Sequence, residues 1–301
     1  MVFQLRRGDR VALVGCSNGR PPQEAALLDR TRAALEGMGL SPVESPVLYQ
    51  VEGQSSGTPP ERAEALMGYF RDPSIRAIFD VSGGDLANQL LPLLDFGEIA
   101  QNWKPFFGYS DLTCLLNAIY ARTSLPTALY QVKNLGDRCG VDQQAAFSAS
   151  LLEGRPDLWR FETRFLQGEG MEGVLVGGNL RCLLKLAGTP YWPDLRGRVL
   201  LLESFTGGSA RIATGLCQLA QMGAFELAAG VLLGTFTQLD REEGPQALER
   251  MALDCIGPGL PVARTLQVGH GEDAKGAAIG LPVRLTAASR FPQGLPGQPE
   301  R

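Results

Sequence analysis

The chain has 301 residues, 44% of them hydrophobic and 20% charged, enough to bury a large core and more naturally two modest domains than one. A formal net charge of −4 gives no basic field of the kind nucleic-acid proteins carry, and no run approaches the roughly twenty apolar residues of a membrane span. Six dispersed cysteines form no Cys-x-x-Cys pair and read as buried thiols of a reducing compartment; with no secretory signal visible, a cytoplasmic protein is expected.

In chain order, Arg10 to Gly15 is an apolar strand followed by a helix over Gln23 to Met38, and a second helix is expected from Pro60 to Phe70. Arg76 to Val81 reads as a buried strand that ends at Ser82-Gly83-Gly84-Asp85, before a helix-like LANQLLPLL. The glycine pair lacks the G-x-G-x-x-G spacing and following Lys-Ser/Thr of a nucleotide loop, so no nucleotide cofactor is expected. Next, Pro105, Phe106 and Phe107 form a short strand, and Leu112, Leu115, Leu116, Ile119 and Tyr120 recur at helical spacing. Between them lies Gly108-Tyr109-Ser110-Asp111. A strand, a tight turn and a helix N-terminus meeting at one hydroxyl is the geometry of a nucleophile elbow, in which following N–H groups face a developing oxyanion. The competing reading is a serine that merely caps a helix, with Asp111 accepting free N–H groups of the first turn.

Alternating strands and helices point to a parallel sheet over residues 1–155, whose ligand-binding loops lie at the strand C-termini. The Gly83-Gly84 and Ser110 turns are two such loops. Residues 156–170 read as an irregular linker, and a second α/β domain spans 171–290. It holds strands in GVLVGG and GRVLLLE, helices over Asn179 to Leu186, Ser209 to Met222 and Glu242 to Cys255, and a further strand at Gly230 to Gly234. Pro261 to Arg264 is a short strand and Ala278 to Leu285 is extended around Pro282. Residues 291–301, FPQGLPGQPER, read as a flexible tail.

His270, in Gly269-His270-Gly271, is the only histidine. It is therefore the one imidazole that could activate Ser110 within the chain, its flanking glycines leaving the ring uncrowded. An imidazole base needs an acceptor at its other nitrogen; Glu203, ending an apolar strand at the lip of the second sheet, is the candidate. One histidine and scattered cysteines supply no recognisable metal-ligand spacing.

The stretches VSGGDLANQLLPLLDF, FFGYSDLTCLLNAIYARTSLPT, VLVGGNLRCLLKLAGTPYWPDLRGRVLLLE and VGHGEDAKGAAIGLPVRL resemble, in the same order, the serine LD-carboxypeptidase family of murein tetrapeptide carboxypeptidases and microcin C immunity peptidases. The resemblance implies an α/β chain of two domains: an N-terminal parallel-sheet domain with the nucleophile elbow and a mixed α/β C-terminal domain carrying Glu and His, usually as a homodimer. It implies catalysis by Ser110, Glu203 and His270 without a metal or other cofactor, and an oxyanion hole from the N–H groups of Gly84 and Asp111. The expected substrate is a small peptide or muropeptide ending in an L-Lys- or meso-diaminopimelate-D-Ala bond; Asn179, at a strand-to-helix turn, is a candidate contact. The alternatives are a peptidyl or aminoacyl nucleotide, with Trp159 or Trp192 as a base platform, and an idle ligand-binding protein. The chain departs from the family pattern at Ser204, where the family has Asp, and at Ala210, Ala213 and Thr214, where it has Tyr-x-x-Asp-Arg. The usual Gly-Pro is replaced at Tyr130-Gln131.

Overall fold

The computed structural model describes residues 2–297. The first sheet is built from β1 (Arg10–Val14), β2 (Ser41–Glu44), β3 (Ile75–Asp80), β4 (Phe106–Gly108) and β5 (Thr127–Leu129), parallel in the order β5-β4-β3-β1-β2. Helices α1 (Ala25–Gly37), α2 (Pro59–Arg71), α3 (Phe96–Gln101), α4 (Thr113–Thr123) and α5 (Gly140–Leu151) belong to this half. Buried on both faces, its central strands are nearly continuous apolar runs, as parallel sheets require.

The second sheet contains β6 (Arg164–Gln167), β7 (Gly170–Asn179), β8 (Arg198–Ser204), β9 (Gly230–Phe236) and β10 (Val262–Arg264). The chain then returns: β11 (Ala277–Ile279) pairs antiparallel with β5 in the first sheet, while β12 (Pro282–Thr286) and β13 (Ser289–Gln293) complete the second. Strands β7 to β10 are parallel, β6 and β12 run against them, and β13, antiparallel to β12, runs with them. The intervening helices are α6 (Leu180–Leu184), α7 (Ser209–Gln221), α8 (Ala224–Leu227), α9 (Thr237–Glu243) and α10 (Pro245–Ile256). Among the described residues no helix is long and apolar enough to cross a membrane.

Several local expectations change. The helix-like stretch after Gly84 takes the form of a 3-10 helix over Ala87–Leu93, with Pro92, which lacks a donor N–H, inside it. The polar stretch expected to be irregular contains β6, which finds its partner in β10 about a hundred residues later. Likewise Ser289–Gln293 forms β13 against β12, so the first part of the expected tail is ordered; residues 298–301 lie outside the described residues. The cysteines are not uniformly buried: Cys16, Cys114 and Cys182 are, Cys139 and Cys255 are partly covered, and Cys217 is exposed.

The two halves meet where α4 docks on the end of β7. Asn117 Nδ2 donates to the Gly177 carbonyl at 2.9 Å and its Oδ1 accepts from the Gly177 N–H at 2.7 Å, while Thr113 Oγ1 accepts from the Asn179 N–H at 3.0 Å. Close approach explains Gly178: a Cβ there would lie 2.7 Å from Thr113 Oγ1. Asn117 is completely buried, so Asn117→Leu strands the Gly177 N–H and carbonyl at the seam. The expected loss is about 2–4 kcal/mol of unfolding free energy by urea titration, with Asn117→Gln recovering little because the longer arm does not fit.

Candidate active site

The site lies where the C-terminal ends of both sheets converge. Strand β4 is only three residues long, and the chain turns at Tyr109 and Ser110 into a 3-10 turn, Ser110–Leu112, that leads into α4. Ser110 has φ +54°, one of two non-glycine residues with positive φ among those described. Holding a serine there costs about 1–3 kcal/mol and turns its hydroxyl out of the sheet. The cap position belongs to Tyr109, with no side-chain cap bond, so Ser110 does not serve as a helix cap. As the second residue of the turn, Asp111 has an N–H with no carbonyl ahead of it inside the helix.

Opposite lies the glycine loop. A Cβ on Gly83 would stand 3.8 Å from Ser110 Cβ and 4.0 Å from Oγ, so this loop and the Ser110 turn face each other directly. Gly84 has φ +123°, and a Cβ on it would collide with the Asn18 side chain. Asn18 Oδ1 in turn accepts from the Asp85 N–H at 3.0 Å, fixing the loop from the far side.

Asp111 does not accept from its own helix. Its fully buried carboxylate accepts from Ser17 Oγ at 2.7 Å and from the Ala87 N–H at 2.9 Å, and its other oxygen pairs with Lys185 at the end of α6. Lys185 Nζ also donates to the Asp85 carbonyl at 2.9 Å, and Arg181 pairs with Asp85 and donates to the Gly84 carbonyl at 3.1 Å. Two cations of the second half thus hold the glycine loop and the serine turn of the first. Neither was marked by the sequence, where they are two ordinary basic residues one helical turn apart.

From the second half, β8 brings Glu203 to its end beside Asn179 of β7, and Glu203 Oε2 lies 2.7 Å from His270 Nδ1. Glu203 is fully buried, and the imidazole side chain is 9% exposed. His270 Nε2 and Glu203 Oε1 are buried with no hydrogen-bond partner among the described residues, leaving the outer imidazole nitrogen uncommitted. The ring is not uncrowded as its glycines suggested. Tyr109 packs edge-on at 4.5 Å between centroids and Phe205 stacks on it at 4.7 Å. Burial, and secondarily the Glu203 charge, push the Tyr109 hydroxyl well above its ordinary pKa, so the ring next to the imidazole stays neutral. A further tie crosses the seam: Gln131 Nε2 donates to Asn134 Oδ1 at 2.6 Å, and Asn134 Nδ2 donates to the Gly271 carbonyl at 3.1 Å.

Other candidates fare differently. Asn179 Oδ1 accepts from the Cys182 N–H at 3.3 Å, the geometry of an N-cap of α6. Trp159 is 1% exposed and packs against Phe3 and Phe107, so it offers no face to a base, and Trp192 lies partly buried against the core. Lys185→Met leaves the Asp111 charge buried without its cation; the expected loss is about 3 kcal/mol of stability, and Lys185→Met with Asp111→Asn recovers much of it. Urea titration of both variants and of Asp111→Asn closes the cycle.

Two profiles match the chain: the LD-carboxypeptidase N-terminal domain over residues 11–130 and the LD-carboxypeptidase C-terminal domain over residues 172–285. The probable murein peptide carboxypeptidase of Bacillus subtilis is 29% identical over 95% of this chain and 91% of its own. The murein tetrapeptide carboxypeptidase of Pseudomonas aeruginosa is 30% identical over 87% of this chain and 88% of its own. The solved structure of MccF in complex with glutamyl sulfamoyl guanosine has the same fold, with a TM-score of 0.87 at 21% identity, covering 98% of this chain and 99% of that one. With both of its halves matched in order, the chain belongs to the LD-carboxypeptidase family of serine peptidases.

Proposed function

We propose that the protein hydrolyses the L,D-amide bond of a murein tetrapeptide, releasing terminal D-Ala from an L-Lys or meso-diaminopimelate residue. The observation that carries this reading is the buried 2.7 Å contact between Glu203 and His270 Nδ1, which leaves Nε2 to serve a nucleophile. Ser110 Oγ attacks the scissile carbonyl while His270 Nε2 takes its proton. The oxyanion is received by the N–H groups of Gly84 and Asp111, on the two loops that face each other across Ser110. Collapse of the tetrahedral adduct breaks the C–N bond, and the imidazolium gives its proton to the leaving D-Ala amine. Water, deprotonated by the same imidazole, then releases the acyl group from Ser110. Glu203 fixes the tautomer and stabilises the imidazolium.

The named carboxypeptidases among the relatives support this substrate class. A second reading, an aminoacyl nucleotide, is supported by the likeness to MccF, whose structure holds glutamyl sulfamoyl guanosine. The buried Trp159 removes one of its two expected base platforms.

The test is release of free D-Ala from a defined tetrapeptide by purified protein with EDTA present. Ser110→Ala and His270→Ala are each expected to lower kcat by roughly 10⁴-fold or more, and Glu203→Gln by a smaller factor. Retention of full activity in Ser110→Ala sinks the nucleophile assignment. Inertness of the wild type toward tetrapeptide, with turnover of an aminoacyl sulfamoyl nucleoside, moves the assignment to the second reading.

A further inference from the structure

A cavity of about 400 Å³ opens between α6 and α7, and it has no place in the proposed chemistry. Arg181 and Lys185 from α6 and its end, Ser204 at the end of β8, Thr206 from the loop after it, and Arg211, Thr214 and Gln218 from α7 form its polar lining. No Asp or Glu lines it. Its apolar wall is aliphatic, from Leu180, Leu184 and Ile212. The location is specific. Ser204 and Thr206 flank Phe205, which stacks on His270 at 4.7 Å, and Lys185 is bonded to Asp111, the residue after Ser110, so the cavity wall is tied to the proposed site at two places.

The three cations differ in what they are free to do. Arg181 is paired with Asp85 and Lys185 with Asp111, both on the first half. Arg211 makes no ion pair among the described residues; its stem lies against Gly207, where a Cβ would meet Cδ at 3.1 Å. One turn further along α7 stands Thr214, and beside it is Gly215. Leu180 fills the space over Gly215, its Cδ2 2.8 Å from where a Cβ would stand, the short Thr214 side chain lines the cavity, and Arg211 supplies the uncommitted charge. An unpaired guanidinium over a methylene-lined pocket suits a carboxylate carried on an aliphatic arm, bound bidentately.

We infer that the α6–α7 cavity is a substrate subsite in which Arg211 binds a carboxylate of one of the two residues that flank the scissile bond. The inference rests on the peptidase reading. Two carboxylates are available: the side-chain carboxylate of meso-diaminopimelate, which lysine lacks, and the terminal carboxylate of D-Ala.

The experiment measures kcat/KM for three tetrapeptides, ending in diaminopimelate-D-Ala, Lys-D-Ala and Lys-D-alaninamide, with wild type, Arg211→Gln and Arg211→Lys. If the side-chain carboxylate occupies the subsite, Arg211→Gln lowers the diaminopimelate-to-lysine ratio by about 10- to 100-fold. If the terminal carboxylate occupies it, the ratio of Lys-D-Ala to Lys-D-alaninamide falls by that factor instead. Arg211→Lys retains part of either ratio. Ratios that do not move between wild type and Arg211→Gln overturn the subsite. If the wild type cleaves none of the three, the peptidase reading fails separately, and calorimetry with glutarate and with inorganic phosphate tests the cavity alone. Binding lost in Arg211→Gln then keeps the anion site, with the preferred probe naming its chemistry, and no binding to either overturns it.

Discussion

The buried carboxylate of Asp111 is the constraint on which the rest of the site depends. A charge with no solvent exposure must be paired and hydrogen-bonded, and this one draws its partners from three other segments. Ser17 comes from the loop after β1, Ala87 from the segment after the glycine loop, and Lys185 from the second half of the chain. Satisfying one side chain therefore fixes the serine turn, the glycine loop and the seam between the sheets together. A second buried carboxylate supports the same corner. Asp80, at the end of β3, is driven upward in pKa by burial but accepts from the Cys16 and Ser82 N–H groups, tying the two loops beside Ser110.

Glu203 and His270 answer the same demand on the other side of the seam. An isolated buried carboxylate in an apolar strand is costly, and the imidazole supplies a partner while Tyr109 and Phe205 exclude water from the ring. Tyr109 also precedes Ser110, so the residue that packs on the imidazole is covalently joined to the proposed nucleophile. Neither half of the chain holds a complete set. The first carries the serine and its facing loop, the second the acid and imidazole, and α4 docking on β7 decides that they share one cleft.

Small residues at Ala210, Ala213 and Thr214 lie on the helix that, with α6, encloses the cationic cavity. The machinery around Ser110 is anchored through α6, while α7 is free of those ties among the described residues. Substitutions on α7 can therefore reshape the cavity wall without disturbing the buried Lys185–Asp111 pair.

Much of the fold was legible in the residues themselves. Apolar runs and helical periodicity act over a few positions, so β1, β3, β4, β8, α4 and α7 fall close to where their patterns place them. The glycine before Tyr109, the lone histidine and the acid ending RVLLLE marked Ser110, His270 and Glu203 as candidates by chemistry alone. What the sequence left open is what depends on distant partners. Strands β6 and β13 carry weak local signals and exist because β10 and β12 offer unpaired edges. The exposed and buried cysteines look alike in sequence, since burial is set by what packs over them. Asp111 read as a helix-start carboxylate, yet its cation is Lys185, 74 residues away. Local chemistry determined which groups were present; only the packing of one sheet end against the other decided which of them meet, because a buried charge selects its partner by proximity in space and leaves no periodic trace along the chain.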